Sequence, residues 1–281
     1  MATREQLIEI FKDTERWYHR DAKLAEAVRK SIAGTKLYGP SDNPPVPPAP
    51  DGVRTQVTVT GYRSLEAARR LLRENPGRKA AVHNFASATN PGGGVTRGSR
   101  AQEESLCRCS TLYPVLDTPE LWKQYYQFHR NRHDTRYTDA CIYSPGILAV
   151  KSDTDLPQRL PESEWLEVDV LTCAAPNLRP RPYNPMNPGG GEPAQVSDEE
   201  LLELHRSRAR HMLTAAAANG VDVLVLGAFG CGAFQNNPEV VARAYREILP
   251  EFDGRFIQIE FAVYCSPRDG RNYEAFRRIL G

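Results

Sequence analysis

A pair of adjacent carboxylates follows a run of three glycines in this sequence. Seven residues separate Gly94 from Gln102, and Glu103 and Glu104 come next. Cleavage of a glycosidic bond needs a protonated carboxyl group at the leaving oxygen. Neighbouring residues of a helix point about 100° apart, so one carboxylate could hold sugar hydroxyls while the other faces the scissile bond. Acids in a first turn also stabilise a helix through its dipole, and this role alone would account for the pair.

The glycines belong to a loop, Asn90-Pro91-Gly92-Gly93-Gly94, that comes directly after an apolar strand and leads into the predicted helix of the acids. Such a loop can bind anions, because bare backbone amides and a helix dipole meet at one point. It is not a P-loop, and it is not a G-x-G-x-x-G loop, because Arg97 stands at the last glycine position. A tight turn with unusual backbone angles is the alternative.

The same pentapeptide recurs at 187–191 in a different context. It follows a proline-rich stretch and not a strand. Several residues separate it from the next helix, for which Ser197 and Glu200 form a predicted capping box. These glycines cannot bring amides and a helix dipole together. The sequence therefore predicts a surface linker there.

A second strand–loop–helix unit, VDVLVLGAFGCGAFQNNP, spans residues 221–238. Backbone amides around Gly230–Phe234 could cradle a diphosphate from the other side. Phe234 would pack against a sugar, and Phe229 would line the pocket. The alternative is a plain strand-to-helix turn with aromatic residues in the core.

Strands and helices alternate along most of the chain. Strands are predicted at 55–61, 79–87, 139–150, 166–176, 221–229 and 256–264, and helices at 3–32, 64–75, 101–116, 119–135, 197–219, 237–249 and 271–280. This order predicts an α/β fold with a mixed or largely parallel sheet between helices. A proline-rich loop at 39–52 ends an N-terminal helical extension, residues 1–52, which we expect to pack on the main body, residues 53–281, as one structural unit.

Charge and cysteine usage narrow the function classes. The chain has 36 Lys and Arg against 35 Asp and Glu, a net charge of +1, which argues against a broad nucleic-acid surface. Its six cysteines contain no C-x-x-C pair, so we expect reduced thiols and no zinc site. His129 and His133 have metal-like helical spacing, but a packing or solvated role is preferred. The sequence shows no signal peptide or membrane span, so the cytoplasm is the expected location.

The stretch GGGVTRGSRAQEE resembles the signature of poly(ADP-ribose) glycohydrolases, in which three glycines are followed closely by Gln-Glu-Glu. Other stretches are similar to the microbial branch of that family: HNFASATNPGGG before the signature, IYSPG at 142–146, VDVLTCAAPN at 168–177 and LVLGAFGCGAFQNNP at 224–238. The resemblance extends from about residue 4 to about residue 279.

The resemblance implies the macrodomain fold, a three-layer α/β/α sandwich with a mixed central sheet, here with an N-terminal helical extension. It implies hydrolysis of the ribose–ribose O-glycosidic bond of poly(ADP-ribose), with release of ADP-ribose and without a metal or other cofactor. Carried onto this sequence, Glu104 is the catalytic acid and Glu103 holds the ribose hydroxyls beside the scissile bond. The implied ligand-binding residues are Asn90, Gly92, Gly93, Gly94 and Gln102 in the first loop, and Gly230, Cys231, Gly232, Ala233 and Phe234 in the second.

The acid role of Glu104 requires a raised pKa. Repulsion from the neighbouring carboxylate of Glu103 would raise it, and the helix N-terminus would oppose that effect. Between the glycines and the acids lie Arg97 and Arg100, which could steer the phosphates of a polymer or point into water.

Three functions share the predicted pocket. The first is a poly(ADP-ribose) glycohydrolase acting from chain ends, the second a hydrolase of single ADP-ribose groups on a protein side chain or nucleic acid, and the third a non-catalytic ADP-ribose reader. The acid pair disfavours the non-catalytic reader. The absence of a G-x-G-x-x-G motif excludes a dinucleotide oxidoreductase. The expected partners are ADP-ribose and poly(ADP-ribose), with ADP-ribosylated proteins as further candidates. We expect a monomer that uses neither a membrane nor direct DNA binding.

Overall fold

The structure is a computed structural model that describes residues 2–49, 52–182, 192–265 and 269–281. The second copy of the pentapeptide, residues 187–191, lies outside the described residues, as do the four residues that precede it, 183–186. Within the described ranges, every helix is too short or too polar to span a membrane.

The described residues form a seven-stranded mixed sheet. The strands are β1 (Lys36–Tyr38), β2 (Gln56–Thr60), β3 (Ala80–Phe85), β4 (Cys141–Ala149), β5 (Leu166–Cys173), β6 (Val223–Leu226) and β7 (Gln258–Ala262). Their order across the sheet is β1-β4-β5-β3-β6-β7-β2. Strand β4 is antiparallel to β1 and β5, while the pairs β3–β5, β3–β6, β6–β7 and β2–β7 are parallel. The predicted mixed sheet is confirmed.

Helices cover both faces of the sheet. Their bounds are α1 (Arg4–Arg20), α2 (Ala22–Gly34), α3 (Ser64–Glu74), α4 (Gln102–Cys109), α5 (Leu112–Leu116), α6 (Pro119–Leu121), α7 (Gln127–Arg132), α8 (Asp198–Ala218), α9 (Pro238–Ile248) and α10 (Arg271–Leu280). Short 3-10 helices lie at Val95–Arg97, Glu162–Glu164 and Leu249–Phe252, and a π-helical turn, Trp122–Tyr126, joins α6 to α7.

The alternation of side chains along each strand divides the core into two layers. In β6, Val223 and Val225 join the cluster that packs under α3, α4 and α5. Their neighbours Leu224 and Leu226 join the cluster under α8, α9 and α10. Successive residues of a strand point to opposite faces, so a continuous apolar run such as β6 fits a strand buried on both sides. This is the three-layer α/β/α sandwich that the sequence predicts.

Three predicted helices are interrupted. The helix predicted at 3–32 divides at Asp21, which ends α1 and caps α2 by accepting hydrogen bonds from the amides of Lys23 and Leu24. The one predicted at 101–116 breaks after α4, where Ser110 forms a β-bridge with Ala149. The one predicted at 119–135 contains the π turn and ends at Arg132, before His133 in the left-handed conformation.

Helix α1 packs on the segment that connects the glycines to the acids and on α4. Arg4 donates a hydrogen bond from Nε to the carbonyl of Arg97 at 2.7 Å, and Thr14 donates to the carbonyl of Arg108 at 2.6 Å. Gly98 has φ +72°, and a Cβ there would lie 2.5 Å from the carbonyl oxygen of Arg4. Strand β1, which the sequence analysis missed, adds the extension to the edge of the sheet through β4.

Candidate functional site

Gln102, the first residue of α4, ties this helix to the carboxyl end of β3. Its Oε1 accepts from the amide of Phe85 at 2.9 Å, and its Nε2 donates to the carbonyl of His83 at 2.7 Å and to Ser64 Oγ at 3.0 Å. One side chain thus pairs with both a backbone NH and a backbone carbonyl at the end of β3, and this fixes where α4 begins. Gln102, which the resemblance implies as a ligand-binding residue, thus holds the start of α4 at the end of β3.

Glu103 is buried, with 3% of its surface exposed. Its Oε2 accepts from the amide of Ser87 at 2.7 Å, and its Oε1 accepts from Asn84 Nδ2 at a longer 3.4 Å. Asn84 also donates to Thr172 Oγ1 at 3.2 Å, which fixes its amide on the neighbouring strand β5. Both oxygens of Glu103 therefore already have donors, which favour its charged form.

Glu104 is also buried, with 7% exposed, but its two oxygens differ. The Oε1 atom accepts from the amide of Gly94 at 2.8 Å. The Oε2 atom is buried and has no hydrogen-bond partner among the described residues. A buried oxygen without a donor is costly for a carboxylate, so this is the position in the pair that best accommodates a proton.

Gly93 lies directly against both acids. It has φ +58°, a conformation that favours glycine, and a Cβ on it would lie 2.5 Å from Glu104 Oε1 and 2.9 Å from Glu103 Oε2. The middle glycine of the first loop is therefore required for two reasons, its backbone angles and the space that the carboxylates occupy.

Burial raises the pKa of both carboxyl groups. For Glu103 the charge of Glu104 adds to burial, and hydrogen bonds from Ser87 and Asn84 oppose the rise in pKa. For Glu104 burial is the main cause of the raised pKa, opposed first by the amide of Gly94. Sequence reasoning attributes the rise at Glu104 to repulsion from Glu103. The structure corrects this: loss of water around the carboxyl group is the larger effect.

Arg130 holds the first loop from the side of α7. Its Nε donates to the carbonyl of Thr89 at 2.8 Å, its Nη2 donates to Asn90 Oδ1 at 2.5 Å, and its guanidinium carbon lies 4.7 Å from the ring centre of Trp122. Asn90, a predicted ligand-binding residue, is thus positioned by a residue that the sequence analysis missed. The only signal nearby is the HRNRH stretch, whose spacing suggests a metal motif instead.

The histidines of that stretch do not form a metal site in the structure. His129 is buried, with Nδ1 2.8 Å from the carbonyl of Tyr125 and Nε2 2.9 Å from Thr138 Oγ1. His133 is exposed. In the described part of the chain, no group of three or more His, Cys, Asp or Glu side chains could hold a metal ion.

Asn236 closes the second loop. Its Nδ2 donates to the carbonyl of Pro176 at 2.7 Å, and its Oδ1 lies 2.7 Å from Nε2 of the buried His205. Gly230, with φ +77°, passes so close that a Cβ would lie 2.6 Å from Ala175 Cβ and 2.9 Å from Asn236 Cγ. Sequence reasoning missed both Asn236 and His205.

Within this loop, three successive amides have no acceptor in the part of the chain that the structure describes. The NH groups of Gly232, Ala233 and Phe234 donate to no group in the described residues, whereas those of Cys231 and Gln235 donate to carbonyls of the loop itself. Unpaired amides from consecutive residues form a concave site that binds anions. The sulfur of Cys231 lies 3.6 Å from the carbonyl of Phe229, and burial raises its thiol pKa.

A cavity of about 480 Å³ lies between the first residues of α4 and the second loop. Its volume is within the usual range for small-molecule sites. Of the predicted ligand-binding residues, its wall contains Gln102, Gly230, Gly232, Ala233 and Phe234. Tyr62, Arg63, Tyr264 and Asn272 line it as well. The wall does not contain Asn90, Gly92, Gly93, Gly94, Cys231 or the two acids, which lie next to Gln102 along the chain. Phe229 lines the cavity as expected, with its ring centre 4.5 Å from that of His83 and 5.5 Å from that of His205.

The two arginines of the connecting segment differ. Both are exposed, but only Arg100 lines the cavity, and its side chain donates a hydrogen bond to the carbonyl of Ala2. Arg100 therefore contributes positive charge near the cavity, and Arg97 contributes its carbonyl to the contact with α1.

Comparison with known proteins gives the family. Residues 6–152 match the family model described as microbial-type PARG, catalytic domain, where PARG is poly(ADP-ribose) glycohydrolase. The poly(ADP-ribose) glycohydrolase of Thermomonospora curvata is 35% identical, with 99% of this chain and 100% of that chain covered and a TM-score of 0.83. This chain belongs to the microbial-type PARG family.

Solved PARG structures with ligands are also similar. The T. curvata enzyme bound to the inhibitor ADP-HPD is 35% identical, with a TM-score of 0.80 over 98% of this chain and 99% of that one. The PARG of Deinococcus radiodurans in complex with ADP-ribose is 36% identical, with a TM-score of 0.71 over 89% of this chain and 95% of that one. The comparison with curated proteins gave no match.

Proposed function

We propose that this PARG-family chain hydrolyses the ribose–ribose O-glycosidic bond of poly(ADP-ribose) and releases ADP-ribose from chain ends. The observation that carries the proposal is the buried Oε2 of Glu104, which has no donor within the described residues and belongs to a carboxyl group whose pKa is raised by burial. A carboxyl group in this state can deliver a proton to a leaving oxygen at neutral pH.

The reaction follows from the two oxygens of Glu104. The proton on Oε2 passes to the leaving ribose oxygen as the bond from that oxygen to the anomeric carbon breaks, which leaves an oxocarbenium-like ribose and a carboxylate. The carboxylate then takes a proton from a water molecule whose oxygen bonds to the anomeric carbon. The Gly94 amide on Oε1 keeps the side chain in place through both steps.

Glu103 would orient the ribose. Its oxygens accept from Ser87 and Asn84, and each carboxylate oxygen has a second lone pair for a ribose hydroxyl. The diphosphate would lie on the free amides of Gly232, Ala233 and Phe234, with the ring of Phe234 against the ribose. These placements put the adenosine in the cavity and the scissile bond near Glu104.

The substrate class can be tested with the wild-type protein. Purified protein is offered poly(ADP-ribose) and, in parallel, proteins and nucleic acid that carry single ADP-ribose groups, and the products are separated by chromatography. We expect free ADP-ribose as the product of the polymer from the earliest times, without oligomers cut from inside the chain. Release only from singly modified substrates would replace the proposal with mono-ADP-ribosyl hydrolysis, and binding of ADP-ribose without any release would identify a reader. That the protein is a cytoplasmic monomer and that it meets ADP-ribosylated proteins stay predictions.

A further inference from the structure

Arg108 is a buried cation one turn after the catalytic acid. It belongs to α4, four residues after Glu104, and only 3% of its surface is exposed. Residues four apart lie on the same face of a helix, and an acid followed by a cation at this spacing is the favourable order. The Nε atom of Arg108 is buried and has no hydrogen-bond partner among the described residues. A buried charge with an unpaired donor costs stability, which makes Arg108 a candidate for a functional role.

A series of contacts joins Arg108 to Glu104 through the segment between the glycines and the acids. Arg108 Nη1 donates to the carbonyl of Ser99 at 2.6 Å. The amide of Ser99 donates to the carbonyl of Gly94 at 3.1 Å, and the amide of Gly94 donates to Glu104 Oε1 at 2.8 Å. Helix α4 closes the series, because it carries both Glu104 and Arg108. A displacement of Ser99 would therefore move the amide that holds the acid.

The charge of Arg108 also acts on the acid. Burial raises the pKa of Glu104, and the charge of Arg108 is among the effects that lower it, after the Gly94 amide. When Glu104 gives its proton to the leaving oxygen, a buried carboxylate forms, and a nearby cation stabilises that carboxylate. The pKa nevertheless stays raised, because burial is the larger effect.

The other titratable groups around the pair leave this role to Arg108. The neighbouring acids are Glu103 and Asp153. Burial raises the pKa of the neighbouring thiol and phenol groups, which keeps them neutral: Cys107, Cys109 and Tyr113. Helix α1 contacts the carbonyl of Arg108 through Thr14, which does not titrate. Helix α4 itself contains two acids and one cation.

We propose that Arg108 is a positioning residue for the catalytic acid. It holds the Gly94 amide on Glu104 through Ser99, and it presents a positive charge to the carboxylate that remains when the proton has passed to the leaving oxygen. This inference rests on the proposed function. It extends the catalytic unit by one helical turn, to a side chain that does not line the cavity.

The test uses Arg108→Met, which removes the charge and the contact with Ser99, and Arg108→Lys, which keeps the charge. Thr14→Val is the control, because it removes the 2.6 Å hydrogen bond to the carbonyl of Arg108 and leaves the guanidinium in place. With poly(ADP-ribose) as substrate, we expect kcat of Arg108→Met to fall about tenfold or more. KM and the Kd for ADP-ribose should stay within about twofold of the wild type, since the cavity is unchanged.

The pH profile of kcat/KM separates this role from a structural one. Activity falls as the pH rises through the pKa of Glu104, because the acid loses its proton. The charge of Arg108 lowers that pKa, so the fall should begin at a higher pH in Arg108→Met and at the wild-type pH in Arg108→Lys and Thr14→Val. A fall that begins at the wild-type pH in Arg108→Met, or that moves as far in Arg108→Lys, would overturn the proposal. An equal loss of kcat in Thr14→Val would do the same.

Two further measurements keep the inference testable. If Arg108→Met gives no folded protein, Arg108→Gln takes its place, because its amide is neutral and can still donate a hydrogen bond. If the wild type releases no ADP-ribose from any polymer, the proposed function fails. Carbon-13 NMR of labelled glutamate carboxyl groups then still follows Glu104, whose signal is assigned by its loss in Glu104→Gln. Titration of that signal at a higher pH in Arg108→Met than in the wild type would support the inference, and identical titration in both would contradict it.

Discussion

A Cβ on Gly93 would lie 2.5 Å from the Oε1 atom of Glu104. The backbone of the glycine loop thus forms one side of the space that holds the Glu104 carboxyl group. The loop and the catalytic helix act as one unit, and a change at either position displaces the other.

Gly93→Ala should abolish most of the activity. The added methyl group must displace the carboxylates of Glu103 and Glu104, and a shift of about 1 Å at a reacting group costs roughly a hundredfold in rate. Gly220→Ala is the control, because Gly220 also has a positive φ, +70°, but has nothing near its Cβ position. Steady-state kinetics on poly(ADP-ribose) should show a loss for Gly93→Ala alone. Equal losses in both variants would mean that backbone strain, not contact with the acids, is responsible.

Arg130→Ala should lower kcat more than it affects binding of ADP-ribose. Arg130 bonds to Thr89 and Asn90 in the first loop and lies outside the cavity wall. Without it the loop loses two charge-assisted hydrogen bonds, each worth about 1.5–3 kcal/mol when buried. We expect kcat to fall roughly tenfold or more, measured alongside calorimetric titration of ADP-ribose. Arg130→Lys should not restore kcat, because a lysine cannot make both contacts. Full rescue by lysine would show that only the charge matters.

Asn236→Ala should weaken ADP-ribose binding and leave the pKa of Glu104 unchanged. The side chain closes the second loop through Pro176 and His205, and its removal leaves buried partners without hydrogen bonds, which costs about 1–3 kcal/mol. Part of this cost should appear as a Kd for ADP-ribose that rises about tenfold. Asn237→Ala removes a helix cap beside it and is the control for stability. An unchanged Kd in Asn236→Ala would show that the loop keeps its shape without this residue.

The acids should destabilise the fold at neutral pH. The pKa of Glu104 is raised in the folded protein, so the folded state binds its proton more tightly than the unfolded chain does. Protonated Glu104 therefore contributes its full stabilisation of the fold below the ordinary pKa of a glutamate. This contribution is lost as the pH rises through the raised pKa of the folded state. Glu104→Gln removes the titration, so its Tm should exceed that of the wild type at about pH 8, and the difference should shrink towards about pH 4. A lower Tm for Glu104→Gln under the alkaline condition would contradict the raised pKa.

The sequence predicts the sheet, the layers and the acid pair because each depends on local pattern. Val223–Leu226 is a buried strand by its composition alone, and Gln102, Glu103 and Glu104 stand close to the glycines that they contact. Contacts between distant segments leave no such pattern. Asn236 and His205 bond across 31 positions, and Arg130 reaches Asn90 across 40.

The sequence analysis missed strand β1 and the break between α1 and α2, and each has a local cause. Strand β1 has only three residues and forms because β4 offers an edge, so no periodicity indicates it. The break at Asp21 had a signal, since Asp is a preferred N-cap, but the apolar pattern of the two helices continues across it.

The Glu104→Gln variant tests the central claim most directly. Its side-chain amide has no acidic proton to give to the leaving oxygen, so release of ADP-ribose from poly(ADP-ribose) should fall by about a thousandfold or more. Calorimetry should give an ADP-ribose Kd close to that of the wild type. Glu103→Gln, measured in parallel, should keep measurable turnover with a higher KM. Wild-type turnover by Glu104→Gln, with the polymer as substrate, would show that another group supplies the proton.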